Sequence, residues 1–414
     1  MTLRRLGSAF LAIGLASFSL AALGEAKTWL SERRRWFTSE EYVQGLGLAQ
    51  LLPGAPSVNM MSYFGFRLRG LPGAATAAVS FLLPGASSML LLSYLYLRYG
   101  ELPAMAGLVR GLGAMVLGLV LNTVLNLWKA GVKTRLQWLM ALGGFALVFW
   151  LRMGIVSLLV FAGAASLAAV LAGRRFTAAR RWIEPAGAPP RTRGAGSATG
   201  QDVTFVSACG LVPLHLGWRR TATLASWLGA ILCVDLLLIR STPDLLRMGS
   251  ELLRIGALTF GSGYAMLPFI QDVAVRQFAW VSEKQFAVAL ALSLVTPGPV
   301  ILVAGFIGYK VAGVPGGVAG IVNVCLPAWA LTNLLASAWA RVGQVPYVRE
   351  VIGGVVAAFV GTLAVVVWKL GATTLVDVPA VAMAAGAFAS QRLAKLDTVW
   401  IVLGGAALSV LALR

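Results

Sequence analysis

Charge is scarce in this 414-residue chain: Asp, Glu, Lys and Arg make up 12% of it, and only 15 residues are acidic. A soluble domain carries about twice that charged share, so water is not the solvent for most of these side chains. Histidine occurs once, at His215, and cysteine three times, at Cys209, Cys233 and Cys325, with no metal-ligand spacing. That argues against a zinc site, a disulfide framework and a histidine proton relay. No Gly-x-x-x-x-Gly-Lys-[Ser/Thr] loop is present either, which argues against direct ATP hydrolysis by this chain. An intramembrane enzyme, such as a lipid-modifying transferase, would need convergent His, Asp or Cys residues at membrane depth, and no such set recurs. No catalytic residue, metal or cofactor is expected.

What the chain does hold is apolar. Hydrophobic residues make up 58% of it and its mean hydropathy is +0.82, the composition of a protein solvated by lipid. Its 47 glycines let membrane helices approach closely, and its 13 tryptophans suit the membrane interface. Trp128, Trp138, Trp150, Trp227, Trp339 and Trp368 stand near the ends of apolar runs, as anchors do. A net charge of +19 would point to nucleic acid in a soluble protein. Here the basic residues fall between apolar segments and mark the cytoplasmic side, so a lipid bilayer is the expected partner and nucleic acid is not. Residues 174–221, with Arg174, Arg175, Arg180, Arg181, Arg191, Arg193, Arg219 and Arg220, read as a basic cytoplasmic linker with too few apolar residues to pack.

The chain is duplicated. Leu51 to Gly73 (LLPGAPSVNMMSYFGFRLRGLPG) reappears as Val295 to Gly316 (VTPGPVILVAGFIGYKVAGVPG), and Trp36 through Tyr42 aligns with Trp280 through Phe286. Pro53-Gly54 falls on Pro297-Gly298, Arg67 on Lys310, Gly70 on Gly313, Pro72 on Pro315 and Pro84 on Pro327. The amino terminus has the charge pattern of a secretory leader, with Arg4 and Arg5 before an apolar run. However, Ile13-Gly14 and Phe18 match Ile255-Gly256 and Phe260, so residues 6–23 are expected to remain as part of the repeated unit.

The fold class that follows is an all-α polytopic membrane protein. Residues 1–173 form the first membrane repeat, 174–221 the linker, 222–240 one connecting transmembrane helix and 241–414 the second repeat. Helices are expected over 6–23, 42–66 (broken at Pro53-Gly54), 72–97, 104–127, 136–151 and 153–173. The second set falls over 245–266, 286–308 (broken at Pro297-Gly298), 314–338, 350–369, 376–390 and 398–413. Arg152 and Gly154 place a turn between two short helices in 136–173. An even number of crossings per repeat, with one crossing between, inverts the second repeat relative to the first, and such pseudo-symmetry suits alternating access at a midplane site. The N-terminus is then cytoplasmic and the C-terminus periplasmic, in a bacterial-type inner membrane.

Proline within a membrane helix removes a backbone hydrogen bond, and an adjacent glycine lets the chain leave helical geometry. Backbone N–H groups and a half-helix N-terminus are then exposed at mid-depth, where they are ligands for an anion. Pro53, Gly54, Pro297, Gly298 and Pro299 are therefore candidate binding residues, with Ser57, Asn59, Ser293 and Thr296 as neutral donors nearby. The plainer reading is that the prolines kink the helices for packing. Arg67 and Lys310 attract the anion or snorkel to the interface, and Arg69 reads as a topology charge. Gly70-Leu71-Pro72-Gly73 and Gly313-Val314-Pro315-Gly316 read as tight turns joining helices.

These motifs resemble the chromate ion transporter family, long-chain two-domain type, over nearly the whole chain. The second half carries Phe260-Gly261-Ser262-Gly263, Trp280, Pro297-Gly298-Pro299 and Gly308-Tyr309-Lys310 through Gly316 where the family has them, which adds Phe260, Gly261 and Gly263 to the candidates. In the first half Ser19-Leu20 follows Phe18 in place of a glycine pair, and Pro53-Gly54-Ala55-Pro56 replaces Pro-Gly-Pro. The resemblance implies secondary active export of chromate, or a related tetrahedral oxoanion, from the cytoplasm, coupled to the membrane potential or a proton gradient. A transporter or passive channel for sulfate-like anions is the alternative, and a homodimer is the candidate assembly. Coupling needs a titratable or ion-pairing group, for which Glu25, Glu41, Asp235 and Asp272 are the candidates; Glu40 and Glu283 also suit helix caps after Thr38-Ser39 and Ser282.

Overall fold

The computed structural model describes residues 2–17, 26–100, 103–151, 153–175, 226, 228–229, 243–260, 262–342, 346–375, 377–394, 396 and 398–412. Nearly all of the linker and of residues 222–240, together with Glu25, Asp235 and Gly261, lie outside the described residues. Among the described residues every regular element is helical. The first half holds α1 (Leu3–Ala16), α2 (Ser39–Leu51), α3 (Pro56–Tyr99), α4 (Pro103–Gly131), α5 (Arg135–Phe149) and α6 (Ile155–Arg175). The second holds α7 (Pro243–Leu258), α8 (Leu267–Gln271), α9 (Glu283–Val295), α10 (Val303–Val342), α11 (Pro346–Thr374), α12 (Val378–Arg392) and α13 (Thr398–Ala412). Five stretches among the described residues are long and apolar enough to cross a bilayer. α5 ends at Phe149 and α6 begins at Ile155, so residues 136–173 do hold two helices.

The break at Pro53-Gly54 differs from the expected interrupted helix over 42–66, because the chain reverses there. Thr38 opens α2 with a capping box closed by Glu41. Leu52 leaves the helix at φ −78°, ψ 149°, Gly54 takes φ +99°, and α3 starts at Pro56. From there the chain runs back along α2: Asn59 bonds Ala49, the Tyr42 hydroxyl meets Met60 Sδ at 3.4 Å, and Phe37 packs on Phe64 with ring centroids 4.6 Å apart. A second reversal follows inside α3. Arg69 (φ −150°, ψ 22°) and Gly70 (φ +64°, ψ −153°) leave helical geometry, and Gly65 packs against the backbone of Gly73. Pro72 then sits in the first turn of the returning leg, where its missing N–H costs nothing. α3 is thus a hairpin of a short leg, 56–68, and a long leg, 71–99. At 1.5 Å per residue the first spans about 20 Å and the second about 43 Å, so only the long leg clears a hydrocarbon core of about 30 Å.

The second half repeats this geometry at the level of backbone dihedrals. Ser282 opens α9 with its own capping box, Gly298 takes φ +121°, and Ala312 (φ −150°, ψ 35°) with Gly313 (φ +61°, ψ −149°) turns α10 back. Arg35 and Ala279 share φ near +50°, and single π-helical turns occupy Thr28–Arg33 and Asp272–Gln277. The two long legs pack antiparallel: Leu90 lies against Gly317, while Ala78 clusters with Leu326 and Trp329. The helix expected over 6–23 ends at Ala16 and the one over 245–266 at Leu258. Both lean on their own long legs, Gly14 against Phe81 and Gly256 against Val324.

Packing sorts the helices into two bundles that each draw on both halves. α1, α2 and α3 pack with α7, α9 and α10, whereas α4 packs on α11 and each recruits the other half's last helices: α5 and α6 on α11, α12 and α13 on α4. The seam between bundles is formed largely by α8 and α9, with Phe269 meeting Phe359 edge-on at 5.7 Å. In the second bundle the exchange depends on two glycines. A Cβ on Gly118 would strike the Ala384 carbonyl, and one on Gly361 the Ala141 carbonyl. Gly118→Ala and Gly361→Ala should each lower stability by about 1–3 kcal/mol through overpacking. Gly143→Ala, where a Cβ meets nothing within 4 Å, should gain up to about 1 kcal/mol of helix propensity. Thermal unfolding of the purified protein in detergent reads the difference, and equal behaviour of all three variants would refute the close approach.

Candidate anion site at the paired hairpin tips

Each hairpin tip is tied to the opposite half by one backbone hydrogen bond. Gly54 N–H donates to the Thr259 carbonyl at 2.8 Å, and Gly298 N–H to the Ser17 carbonyl at 2.6 Å. Ser17 and Thr259 are the residues that follow α1 and α7. Side packing is equally reciprocal, with Gly54 against Ala328 of the α10 long leg and the Pro297 carbonyl against Gly85 of the α3 long leg. Both Gly54 and Gly298 take a positive φ that disfavours any side chain, and at Gly54 the close approach of the Ala328 backbone excludes a Cβ as well.

After each tip a helix restarts with no side-chain cap, because Ala55 and Pro299 carry no acceptor. The positive ends of two helix segments, 56–68 and the turn Val300–Leu302 leading into α10, therefore start without a side-chain cap. Around them are buried Pro53 and Pro299, half-buried Pro297, Phe260 and Ser57, and Gly263, whose Cβ direction points at Ile301. Phe260 follows the Thr259 acceptor of the first tip, and Gly263 faces Ile301 beside the second. Gly261 stands between Phe260 and Ser262, outside the described residues.

The neutral donors differ from expectation in how they are used. Asn59 is fully buried, and its Nδ2 donates to the carbonyls of Ala49 (3.1 Å), Leu52 (3.4 Å) and Pro53 (3.1 Å). It closes the C-terminal end of α2 onto the tip and has no amide donor to spare. Ser293 and Thr296 give their hydroxyl protons to the carbonyls of Leu290 and Ser293. The Ser17 hydroxyl, by contrast, is fully buried and has no hydrogen-bond partner among the described residues. Ser17 and Thr259 were missed by sequence reasoning, since they act through backbone carbonyls that leave no side-chain signature.

The matched cations stand apart from the tips. Arg67 and Lys310 each lie about 20 Å along a short leg from the break, counting 1.5 Å per residue. Arg67 is buried at 5% exposure, with Nη1 3.2 Å from the Tyr63 hydroxyl and the guanidinium 6.0 Å over the Tyr63 ring. Lys310 is exposed, and Phe306 stands where the first half has Tyr63, so no hydroxyl is there to receive it. Arg69 is exposed, as a topology charge would be. Among the acids, Glu41 accepts from the Thr38 backbone N–H at 2.8 Å, Asp272 accepts from Gln277 at 2.9 Å and Glu283 accepts from Gln271 at 2.6 Å. None of the three sits at a tip.

Two outcomes test this geometry. Asn59→Ala leaves three carbonyls short of a donor and should cost about 1–3 kcal/mol, read by thermal unfolding against Ser57→Ala, which should be close to neutral. Arg67→Gln should lower yield and melting temperature, while Lys310→Gln should leave both unchanged; equal sensitivity would show that the two environments are equivalent.

The "Chromate transporter" family model matches this chain twice, over residues 4–168 and 246–410. The "Chromate transport protein" of Cupriavidus metallidurans is 30% identical over 99% of this chain and 93% of its own length. The "Probable chromate transport protein" of Synechococcus elongatus is 29% identical over 91% of this chain and 87% of its own length, and the "Chromate transport protein" of Pseudomonas aeruginosa is 27% identical over 94% and 86%. No solved structure gives a significant match. Both matched segments contain one complete pair of hairpin and long leg, and the chain belongs to the chromate transporter family.

Proposed function

We propose that this protein is a secondary active transporter that exports chromate, or a related tetrahedral oxoanion, from the cytoplasm, driven by the membrane potential or a proton gradient. The observation that carries the reading is the pair of hairpin tips, each starting a helix with no side-chain cap and each tied to the opposite half. Two positive helix ends suit a divalent oxoanion, whose charge is spread over four oxygens that accept N–H donors from opposite sides. Antiparallel long legs suit inverted repeats, with α1 entering from the cytoplasm and residues 174–221 on the same side. The C-terminus is then periplasmic in an inner membrane. The moving bodies are the two mixed bundles, not the two sequence halves, because α5, α6, α12 and α13 are each clasped by the opposite half.

The test is chromate flux in everted vesicles. Uptake should proceed without ATP, collapse when the membrane potential and pH gradient are dissipated together, and compete with sulfate. Passive downhill movement that no imposed gradient drives uphill would identify a channel instead. Tags near Ala195 should react from the cytoplasmic side and tags after Arg414 from the periplasmic side, and reaction of both from the cytoplasm would refute the inverted arrangement.

A further inference from the structure

α7 is the counterpart of α1, but its two faces differ sharply. Leu245, Met248, Gly249, Leu252, Ile255 and Gly256 are buried against the first bundle. The opposite face presents Arg247, Ser250 and Arg254 to the outside together with Leu246, 45% exposed, and with Asp244 and the partly exposed Glu251 at its edge. Arg254 and Glu251 form an ion pair at 3.6 Å, and the cation is the more open partner, its side chain 51% exposed against 25%. On α1 the positions deeper than Ser8 on the open face are Leu11, Ala12, Leu15 and Ala16.

Depth makes this stripe informative. Gly256 packs against Val324, which lies about 17 Å along the long leg from the Gly313 turn, near the middle of a hydrocarbon core of about 30 Å. Arg254 is two residues from Gly256. One turn further on, the Thr259 carbonyl receives the Gly54 tip. An exposed guanidinium and carboxylate at that depth cannot face acyl chains without a large cost, and ionisable groups in such places face water or a partner charge.

We infer that the open face of α7 lines a water-filled vestibule leading from one membrane surface to the Gly54 tip, and that Arg254 is the binding residue that receives the oxoanion there. Glu251 holds the guanidinium while the vestibule is empty and competes with the anion for it. Arg247, almost two turns nearer the surface on the same face, draws the anion in. This rests on the transport reading and places the receiving cation on one repeat only, since Arg5 of α1 matches Arg247 but Ala12 stands where α7 has Arg254.

Two arms test the inference, in a background with Cys209, Cys233 and Cys325 replaced by Ser. In the first, Ser250→Cys, which leaves every charge in place, and Arg254→Cys are exposed to a membrane-impermeant thiol reagent in right-side-out and everted vesicles. Both should label from one side only, and excess chromate should slow labelling of Ser250→Cys severalfold, while Leu83→Cys, 54% exposed on an apolar face, should stay unlabelled. In the second, Arg254→Gln should raise the half-saturating chromate concentration about tenfold, the loss of one charge-assisted hydrogen bond, whereas Glu251→Gln should lower it. A merely structural ion pair predicts that both variants weaken transport alike, and that result overturns the role of Arg254. Cysteines at 250 and 254 that react from neither side overturn the vestibule, leaving the stripe covered by lipid or a second subunit. If the unmodified protein moves no chromate, the transport reading fails; the labelling arm, run with sulfate and with chromate as protectants, still decides whether the stripe is wet and holds an anion.

Discussion

Two backbone hydrogen bonds, Gly54 to Thr259 and Gly298 to Ser17, fix the arrangement on which the rest depends. In a bilayer an N–H without a partner costs several kcal/mol, so a chain that leaves helical geometry at mid-depth must find acceptors inside the protein. Each tip finds its acceptor in the other repeat, just past the end of a half-length helix. Neither repeat can satisfy its own tip, which is a physical reason for the two halves to be held together. The same constraint shortens α1 and α7: a helix continuing past Ala16 or Leu258 would use the carbonyls of Ser17 and Thr259 in its own ladder.

Symmetry of the backbone does not extend to the chemistry. The first tip is closed by Asn59, and the equivalent place in the second half holds Leu302, while Ser293 and Thr296 bond the local carbonyls instead. Arg67 lies under Tyr63 and is buried, while Lys310 beside Phe306 is open. Such divergence costs little stability as long as each buried polar group keeps a partner. It also leaves the two tips in chemically different surroundings.

The duplicated glycines and prolines were legible in the sequence because they report backbone geometry directly: Gly70 and Gly313 were read as turns joining helices, and both take positive φ. The same residues did not reveal that the chain reverses at Pro53-Gly54. Proline and glycine mark where a helix stops, but the direction taken afterwards is decided by contacts such as Tyr42 with Met60 and Asn59 with Ala49, at sequence separations no local pattern encodes. Asn59 shows the limit at the site. An asparagine beside a helix break suits an anion and a carbonyl cap equally well, and only the three carbonyls around its amide choose between them. Thr259 was invisible for a simpler reason, since any residue offers a carbonyl.

Where a helix docks follows from small residues more than from chain order. Gly118 and Gly361 admit the backbones of Ala384 and Ala141, so the last helices of each half pack across to the other half's fourth helix. Rocking of one sequence half against the other would have to open both of these contacts along with both tip bonds. Sliding the hairpin bundle against the α4 to α6 and α11 to α13 bundle leaves all four intact and shears mainly the seam at α8 and α9. That seam is apolar, with Phe286, Ala289, Leu290 and Phe269 buried in it, and apolar contact is non-directional, so it tolerates displacement at lower cost than a hydrogen bond stretched in a low-dielectric interior. The boundary that can shear with all four of these contacts intact therefore runs between bundles that each contain half of both repeats.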